Sequence, residues 1–297
     1  MTNGITRGVG AYMLARVPHL SFYVLWLGTF LECISWSFFI LGSGAGPFWI
    51  GVFLFASVVA FATGYMNLKR RNAAVAEALR LERENAVTYN RVWAKLRSQL
   101  FFDAQCLELN KTWNDIMANV EGEFIAKKQL GSNIEDIFRS ADALSSHFQE
   151  KAKELALSTS GRHIAASVKS EIRALEKVFR VYSGDFSKLA DLVRTTIVFS
   201  GKEAVVSMNE CLLKIASDPE WELIYARSEK IRIDICKNSP SGYRDVQLCV
   251  RLKSRVALEL GVDKHFCEMQ LHIDELYMLK TEFGHKNYIA CRNLRGD

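Results

Sequence analysis

Apolar and polar positions divide this chain into unequal stretches. Two nearly unbroken apolar runs come first, from about Leu20 to Leu41 and from Phe48 to about Met66. The uncharged turn Gly42-Ser43-Gly44-Ala45-Gly46-Pro47 separates them, and Lys69-Arg70-Arg71 closes the second. Each run is long enough to cross a hydrocarbon core of roughly 30 Å. The pattern predicts a transmembrane helical hairpin over residues 1–68, with the lipid bilayer as its partner. A signal peptide would have a shorter apolar core, followed by a cleavage site instead of a second run. Basic residues flank both outer ends (Arg7, Arg16 and Lys69 to Arg71) and none lies in the turn. That asymmetry predicts an integral membrane protein with two transmembrane helices, both termini and the catalytic domain in the cytoplasm. Ala56, Ala60 and Gly64 recur at four-residue spacing, a strip that lets helices approach closely. Glu32, mid-run beside Gly28 and Ser35, reads as a protonated, hydrogen-bonded group inside a helix cluster.

Beyond Lys69 the periodicity becomes helical. Val75, Leu79, Ala86, Tyr89, Trp93, Leu96 and Leu100 follow a four-three spacing broken once, at Glu82. A coiled-coil seam and packing back onto the chain's own domain account for this equally well. The seam, with the membrane helices, would support a homo-oligomer. Residues 69–130 form a helical linker on this reading, with breaks near Gly122 and Gly131. From 131 to 297 helix and strand signals alternate. Helices are predicted over Ile164–Tyr182, Lys202–Ala216 and from about Asp274. Strands are predicted over Leu192–Phe199, Glu222–Ala226, Ile231–Cys236 and in the two stretches described next. The fold class is α+β: a hairpin and long helices, then a domain with a mixed sheet of about five strands flanked by helices.

Two strand-like stretches near the C-terminus carry most of the candidate chemistry. Ser239-Pro240-Ser241-Gly242 leads into Tyr243-Arg244-Asp245-Val246-Gln247-Leu248-Cys249-Val250, a loop feeding a half-buried strand. In His265–Ile273, Glu268, Gln270 and His272 share one face because side chains alternate along a strand. A solvated edge strand and a catalytic cleft both fit, and the cleft is the sharper expectation. Upstream, Lys169, Arg173 and Lys177 recur every four residues, with Ile172, Leu175 and Phe179 as the apolar face opposite. A cationic stripe is usually only a solvated surface. This one leads directly to Asp191-Leu192-Val193-Arg194, a carboxylate at a strand entrance.

Composition changes the picture little. A formal charge of +5 over 297 residues is too weak alone to argue for nucleic acid and suits anionic ligands or a nearby membrane surface. The seven cysteines are scattered, without C-x-x-C pairs or His/Cys ligand spacing. They read as reduced thiols with no structural zinc.

Taken in order, these motifs resemble the RelA/SpoT-type nucleotide pyrophosphokinases that make (p)ppGpp. The likeness rests on Lys169-Ser170 and Lys177, Asp191 with Arg194, Gly242-Tyr243, Glu268-Met269-Gln270, and Gly284-His285-Lys286-Asn287-Tyr288. The sequence departs from the family at several points: Asp245-Val246-Gln247 replaces Ser-x-His, Ser167 an arginine and Arg173 a serine. The step from Asp191 to Arg194 is shorter and that from Tyr243 to Glu268 longer. This resembles a divergent branch, and the departures bear on the acceptor more than on the reaction class. No adjacent His-Asp pair occurs, so the family's hydrolase half is absent. The resemblance implies a membrane-anchored ATP:nucleotide 3′-pyrophosphokinase with ATP and GDP or GTP as substrates, synthetase only. Asp191 and Glu268 would be the catalytic pair and the ligands of Mg2+. Lys169, Arg173, Lys177 and Arg194 would bind the ATP phosphates. Tyr243, Arg244, Gln270 and His285 would hold the acceptor nucleotide. Two alternatives follow from it: a toxin-type member modifying adenine nucleotides or the 3′ end of tRNA, and a catalytically silent nucleotide sensor.

Overall fold

Alternation along Val193–Phe199 (β2) and Cys267–Ile273 (β5) lays these segments side by side as parallel neighbours in a five-stranded mixed sheet. The computed structural model describes residues 47–118, 128, 129, 131, 133–226 and 242–281. The order across the sheet is β1 (Arg162–Ala165), β2, β5, β4 (Val246–Leu252), β3 (Trp221–Ala226). Among the described residues only the β2–β5 pair is parallel; the other three pairs are antiparallel. The helices are α1 (Pro47–Arg97), α2 (Phe102–Ala118), α3 (Ile134–Ser158), α4 (Glu171–Val181), α5 (Ala204–Ser217), α6 (Arg255–Glu259) and α7 (Asp274–Leu279).

The sheet's two faces differ because side chains alternate along every strand. One carries Val193, Ile197, Phe199, Val246, Leu248, Val250, Met269 and Leu271, all buried. Helix α3 covers this face with Ile137, Ala141, Leu144, Phe148, Ala152 and Leu155, a stripe at helical spacing. The Asn133 side chain caps it, accepting from the Asp136 backbone N–H at 2.8 Å. Helix α5 adds Val205, Met208, Cys211, Leu212 and Ile215 to the same core, and α2 adds Phe102, Leu109 and Trp113. The other face presents Arg194 and Thr196 of β2, Gln247 and Cys249 of β4, and Glu268, Gln270 and His272 of β5. The register sets Glu268 beside Arg194 and Cys249, and Gln270 beside Thr196 and Gln247.

The chain divides into two compact units, Met1–Ala78 and Leu79–Asp297. The transmembrane hairpin expected at the N-terminus is corrected. Among the described residues no helix is long and apolar enough to cross a membrane. The run Phe48–Met66 is not a separate span. It opens one continuous 51-residue helix, diluted by Gly51, Ser57, Thr63 and Gly64 and passing without a break into Lys69, Arg70 and Arg71. The expectation of an integral membrane protein with its catalytic domain in the cytoplasm falls with it. The earlier run, 20–41, and Glu32 lie outside the described residues. Further along α1, Tyr89, Trp93 and Leu96 are buried in the core of the second unit. That half of the seam therefore packs back onto its own domain.

Two more differences concern the sheet. The helix expected from Ile164 begins only at Glu171, and Arg162–Ala165 instead pairs with Thr195–Val198 as β1. That short segment is held by distant contacts. Gln149 on α3 donates to the Arg194 carbonyl (2.7 Å), and His163 meets Gln149 and Thr195 at 3.1 and 2.9 Å. Just before it, a Cβ on Gly161 would stand 2.7 Å from Ile197 Cγ2, so the approach to β2 requires glycine. The strand expected at 231–236 lies outside the described residues.

Candidate functional site

Asp191 sits just before β2, at the mouth of the polar face. Its side chain is nearly buried, and two ammonium groups converge on one of its oxygens. Lys169 Nζ lies 2.6 Å and Lys177 Nζ 2.7 Å from Oδ2. The lysines reach it from different local structures. Lys169 lies ahead of α4 in extended chain, pinned by its backbone N–H to the Leu192 carbonyl at 3.0 Å. Lys177 lies two turns into the helix. The expected stripe therefore does not form one helix face. The buried side of α4 is Ala174 and Val178, while Ile172 and Phe179, expected to be its apolar face, are 74% and 71% exposed.

The electrostatics follow from burial and this pairing. Burial pushes the Asp191 carboxyl up, but the two lysines outweigh it and hold the group below its ordinary value. Burial likewise opposes charge on Lys177; there Asp191 wins and the ammonium is held above its ordinary value, with Tyr182 assisting. Lys169 is pushed down: its burial is reinforced by the positive charges of Lys177 and Arg194 and exceeds the pull of Asp191. The cluster is thus one carboxylate shared by two cations, with net positive charge.

Lys177, Tyr182, Ala190, Asp191, Gln247, Leu248, Cys249 and Glu268 line one narrow pocket. Two carboxylates distant in sequence therefore face the same space. The pocket holds only about 10 Å³, room for roughly one water molecule. Among the described residues the buried Asp191 Oδ1 and Gln247 Oε1 have no hydrogen-bond partner, nor does Arg194 Nε nearby. Buried polar atoms left this way cost free energy and call for an explanation. Two carboxylates, one with an unsatisfied hard oxygen, fit Mg2+, which uses one or two carboxylates and completes its shell with water and phosphate oxygens. Among the described residues no cluster of three or more His, Cys, Asp or Glu could hold a metal by protein ligands alone. A larger cavity, about 480 Å³, lies between α2, α5 and β3, away from these carboxylates.

The residues expected on the acceptor side have different surroundings. The Tyr243 hydroxyl donates to Asp245 Oδ2 at 2.9 Å and stands 3.3 Å from His272 Nε2. Burial, then Asp245, pushes its phenol well above its ordinary value. Tyr89 and His272 meet its ring edge-on at 6.0 and 5.9 Å, and Lys280 Nζ lies 5.9 Å from the ring centroid. Arg244 turns towards α1, donating to Asn90 Oδ1 at 3.1 Å and stacking 4.5 Å over Trp93. Gln270 donates to Glu268 Oε1 at 2.6 Å. Arg173 is exposed and does not line the pocket. His285 lies outside the described residues.

The structure therefore brings Lys169, Lys177, Asp191, Arg194, Glu268 and Gln270 to one side of the sheet. Sequence reasoning gave no site role to Gln247, Tyr182, Asp245 or Lys280, and it placed His272 on the polar strand face without assigning it one. The alternation along β4 and β5 was a usable signal for Gln247 and His272, since each is two residues from a polar neighbour on the same face. Lys280 carries no such signal.

No family model matches this chain. A 129-residue stretch is 27% identical to the (p)ppApp synthetase toxin Tas1 of Pseudomonas aeruginosa strain UCBPP-PA14, covering 43% of this chain and 26% of that protein. The chain thus spans about a quarter of the length of the curated relative it matches. A solved structure, the complex between the Type VI effector Tas1 and its immunity protein, aligns with 56% of this chain and 77% of that chain, at 22% identity and a TM-score of 0.36.

Proposed function

We propose that this chain is a nucleotide pyrophosphokinase of the toxin type, transferring the β,γ-pyrophosphoryl group of ATP to a hydroxyl of an adenine nucleotide. The observation that carries the reaction class is the buried Asp191, shared by Lys169 and Lys177, lining one pocket with Glu268 and keeping one oxygen without a partner among the described residues. The acceptor rests on the 27% identity to a (p)ppApp synthetase toxin. That likeness favours adenine over the guanine nucleotides suggested by the motif order alone.

Phosphoryl transfer asks a protein mainly to position reactants and neutralise charge. Lys169, Lys177 and Arg194 bind the phosphate oxygens of ATP and oppose the charge that develops on them. An incoming triphosphate competes with Asp191 for the two ammonium groups, which frees the carboxylate to turn to a cation. Asp191 and Glu268 would hold Mg2+, and the chemistry it would supply there is neutralisation of negative charge on the phosphates. The acceptor oxygen attacks the β-phosphorus, and the bond from that phosphorus to the α,β-bridging oxygen breaks. AMP leaves, and the hydroxyl proton passes to the Glu268 carboxylate.

The test is to incubate the full chain with ATP and Mg2+ and, in parallel, AMP, ADP, GDP, GTP or tRNA, and to resolve the products. Pyrophosphorylated adenine nucleotide is the expected product. Product on guanine nucleotides or tRNA overturns the acceptor assignment. A folded protein that yields none of these overturns the reaction class.

A further inference from the structure

A run of hydrogen bonds links Glu268 to the Tyr243 side of the cleft, and one cation stands in its middle. Gln270 Nε2 donates to Glu268 Oε1 at 2.6 Å, and Gln270 Oε1 accepts from Lys280 Nζ at 2.5 Å. The same ammonium lies 3.2 Å from His272 Nε2, which stands 3.3 Å from the Tyr243 hydroxyl, itself bonded to Asp245. Lys280 also lies 5.8 Å from the Tyr277 ring centroid. It is half-buried and belongs to none of the motifs that mark the site in sequence.

The chemistry of an ammonium makes this arrangement directional. It has donors only, whereas a glutamine amide has a donor end and an acceptor end and an imidazole has two tautomers. With Lys280 at Oε1, the Gln270 amide has one orientation, and its NH2 must face Glu268. With Lys280 at Nε2, His272 must offer a lone pair there and carry its proton on Nδ1. The Tyr243 proton is directed to Asp245 by the shorter contact, so it does not compete for Nε2.

On the reading of Glu268 as the base, we infer that Lys280 is a positioning residue for it. Lys280 fixes the Gln270 amide, which holds one oxygen of Glu268 and so sets the direction of the other. Through His272 and Tyr243 it couples that carboxylate to the acceptor side. The inference adds a residue that acts through Gln270 and His272 without touching the reacting atoms.

Two readouts on the full chain test it. Long-range proton–nitrogen NMR correlation of the histidine rings, with the His272 signals assigned by His272→Gln, should show the Nδ1–H tautomer in the wild type. In Lys280→Met that preference should be lost. Pyrophosphoryl transfer by Lys280→Met should fall about 10–100-fold in kcat, the range expected when a catalytic group is misplaced, with KM for ATP unchanged. Lys280→Arg, which keeps a donor-only cation, should restore much of the rate. An Nε2–H tautomer in the wild type, or Lys280→Met turning over like the wild type, overturns the inference. Should Lys280→Met fail to fold, Lys280→Gln takes its place, and the wild-type tautomer stands as a readout in either case. A wild type inactive with every acceptor sinks the proposed function instead; the tautomer and its response to Lys280 substitution then decide the inference alone.

Discussion

The Asp191 end of the cleft and the Tyr243 end use the same sheet face in opposite ways. Around Asp191, charges are gathered without being fully satisfied. Two ammonium groups share one oxygen, while the other oxygen, the Gln247 carbonyl and Arg194 Nε are buried without hydrogen-bond partners among the described residues. Around Tyr243, the phenol, His272, Lys280, Gln270 and Asp245 are linked to one another, and α1 closes over the loop through Tyr89, Asn90 and Trp93. Converging charges at one end and a run of hydrogen bonds at the other distinguish the two; buried atoms without a hydrogen-bond partner among the described residues occur at both, Asp191 Oδ1 at the first and Tyr89 Oη at the second. The contrast explains why a substitution at each end should be felt in a different measurement.

The largest effect sharpens this contrast at the charged end. Asp191→Asn keeps the shape but removes the charge that the two lysines share. Pyrophosphoryl transfer should fall by about 10²–10³-fold or more, the range for losing one preorganised electrostatic group. Steady-state kinetics on folded variant protein checks this, and activity within tenfold of the wild type would show that Asp191 is only a structural partner of the lysines.

The next effect belongs to the other end and should appear in stability. Gly242 has φ +70°, and a Cβ there would stand 2.9 Å from the Ala86 Cα. Gly242→Ala combines backbone strain with a backbone clash and should cost about 1–3 kcal/mol, read by denaturant unfolding. An unchanged midpoint would mean that α1 does not hold the acceptor loop. The interface would then be no constraint on that end of the cleft.

Acid unfolding gives a smaller, signed test. The Asp191 carboxyl is held below its ordinary value in the folded chain. Its contribution to stability is therefore present above the unfolded carboxylate value, about 3.9. It is lost as pH falls through the lower folded value. The wild type should lose more stability over that acid range than Asp191→Asn, measured as unfolding free energy against pH. Equal slopes would mean that the two lysines do not stabilise the charged form. The smallest effect is at Arg173. Because it is exposed outside the pocket, Arg173→Ala should change activity by no more than about twofold. A loss comparable with that of a Lys177 variant would require α4 to move when nucleotide binds.

Some of these features could be read directly from the chain, and others depended on folding. The alternation in Val193–Phe199 and Cys267–Ile273 placed Glu268, Gln270 and His272 on one face, because strand periodicity is a property of neighbouring residues. Even there Phe266 breaks the pattern, packing with Ile224 and Cys249 in a small cluster of its own. Spacing also singled out Lys169, Lys177 and Asp191. It misassigned the reason, treating Lys169 as helical and Arg173 as an equal partner. Helix periodicity describes a segment only after its start is known, and α4 starts after Lys169. The apolar run before Met66 suggested a membrane span because hydropathy is local. It could not register the continuous helix that carries the run onward into charged residues.

Local order therefore determined the α+β character, the polar strand face and the presence of lysines and carboxylates along the chain. Tertiary structure alone decided that Asp191 and Glu268 share a pocket, that Arg244 belongs to α1, and that Lys280 joins Glu268 to Tyr243. The physical reason is range. Periodicity and capping act over a few residues, whereas β1–β2 pairing, shared ion pairs and a hydrogen-bonded run across a strand, a loop and the end of a helix exist only once distant segments have met.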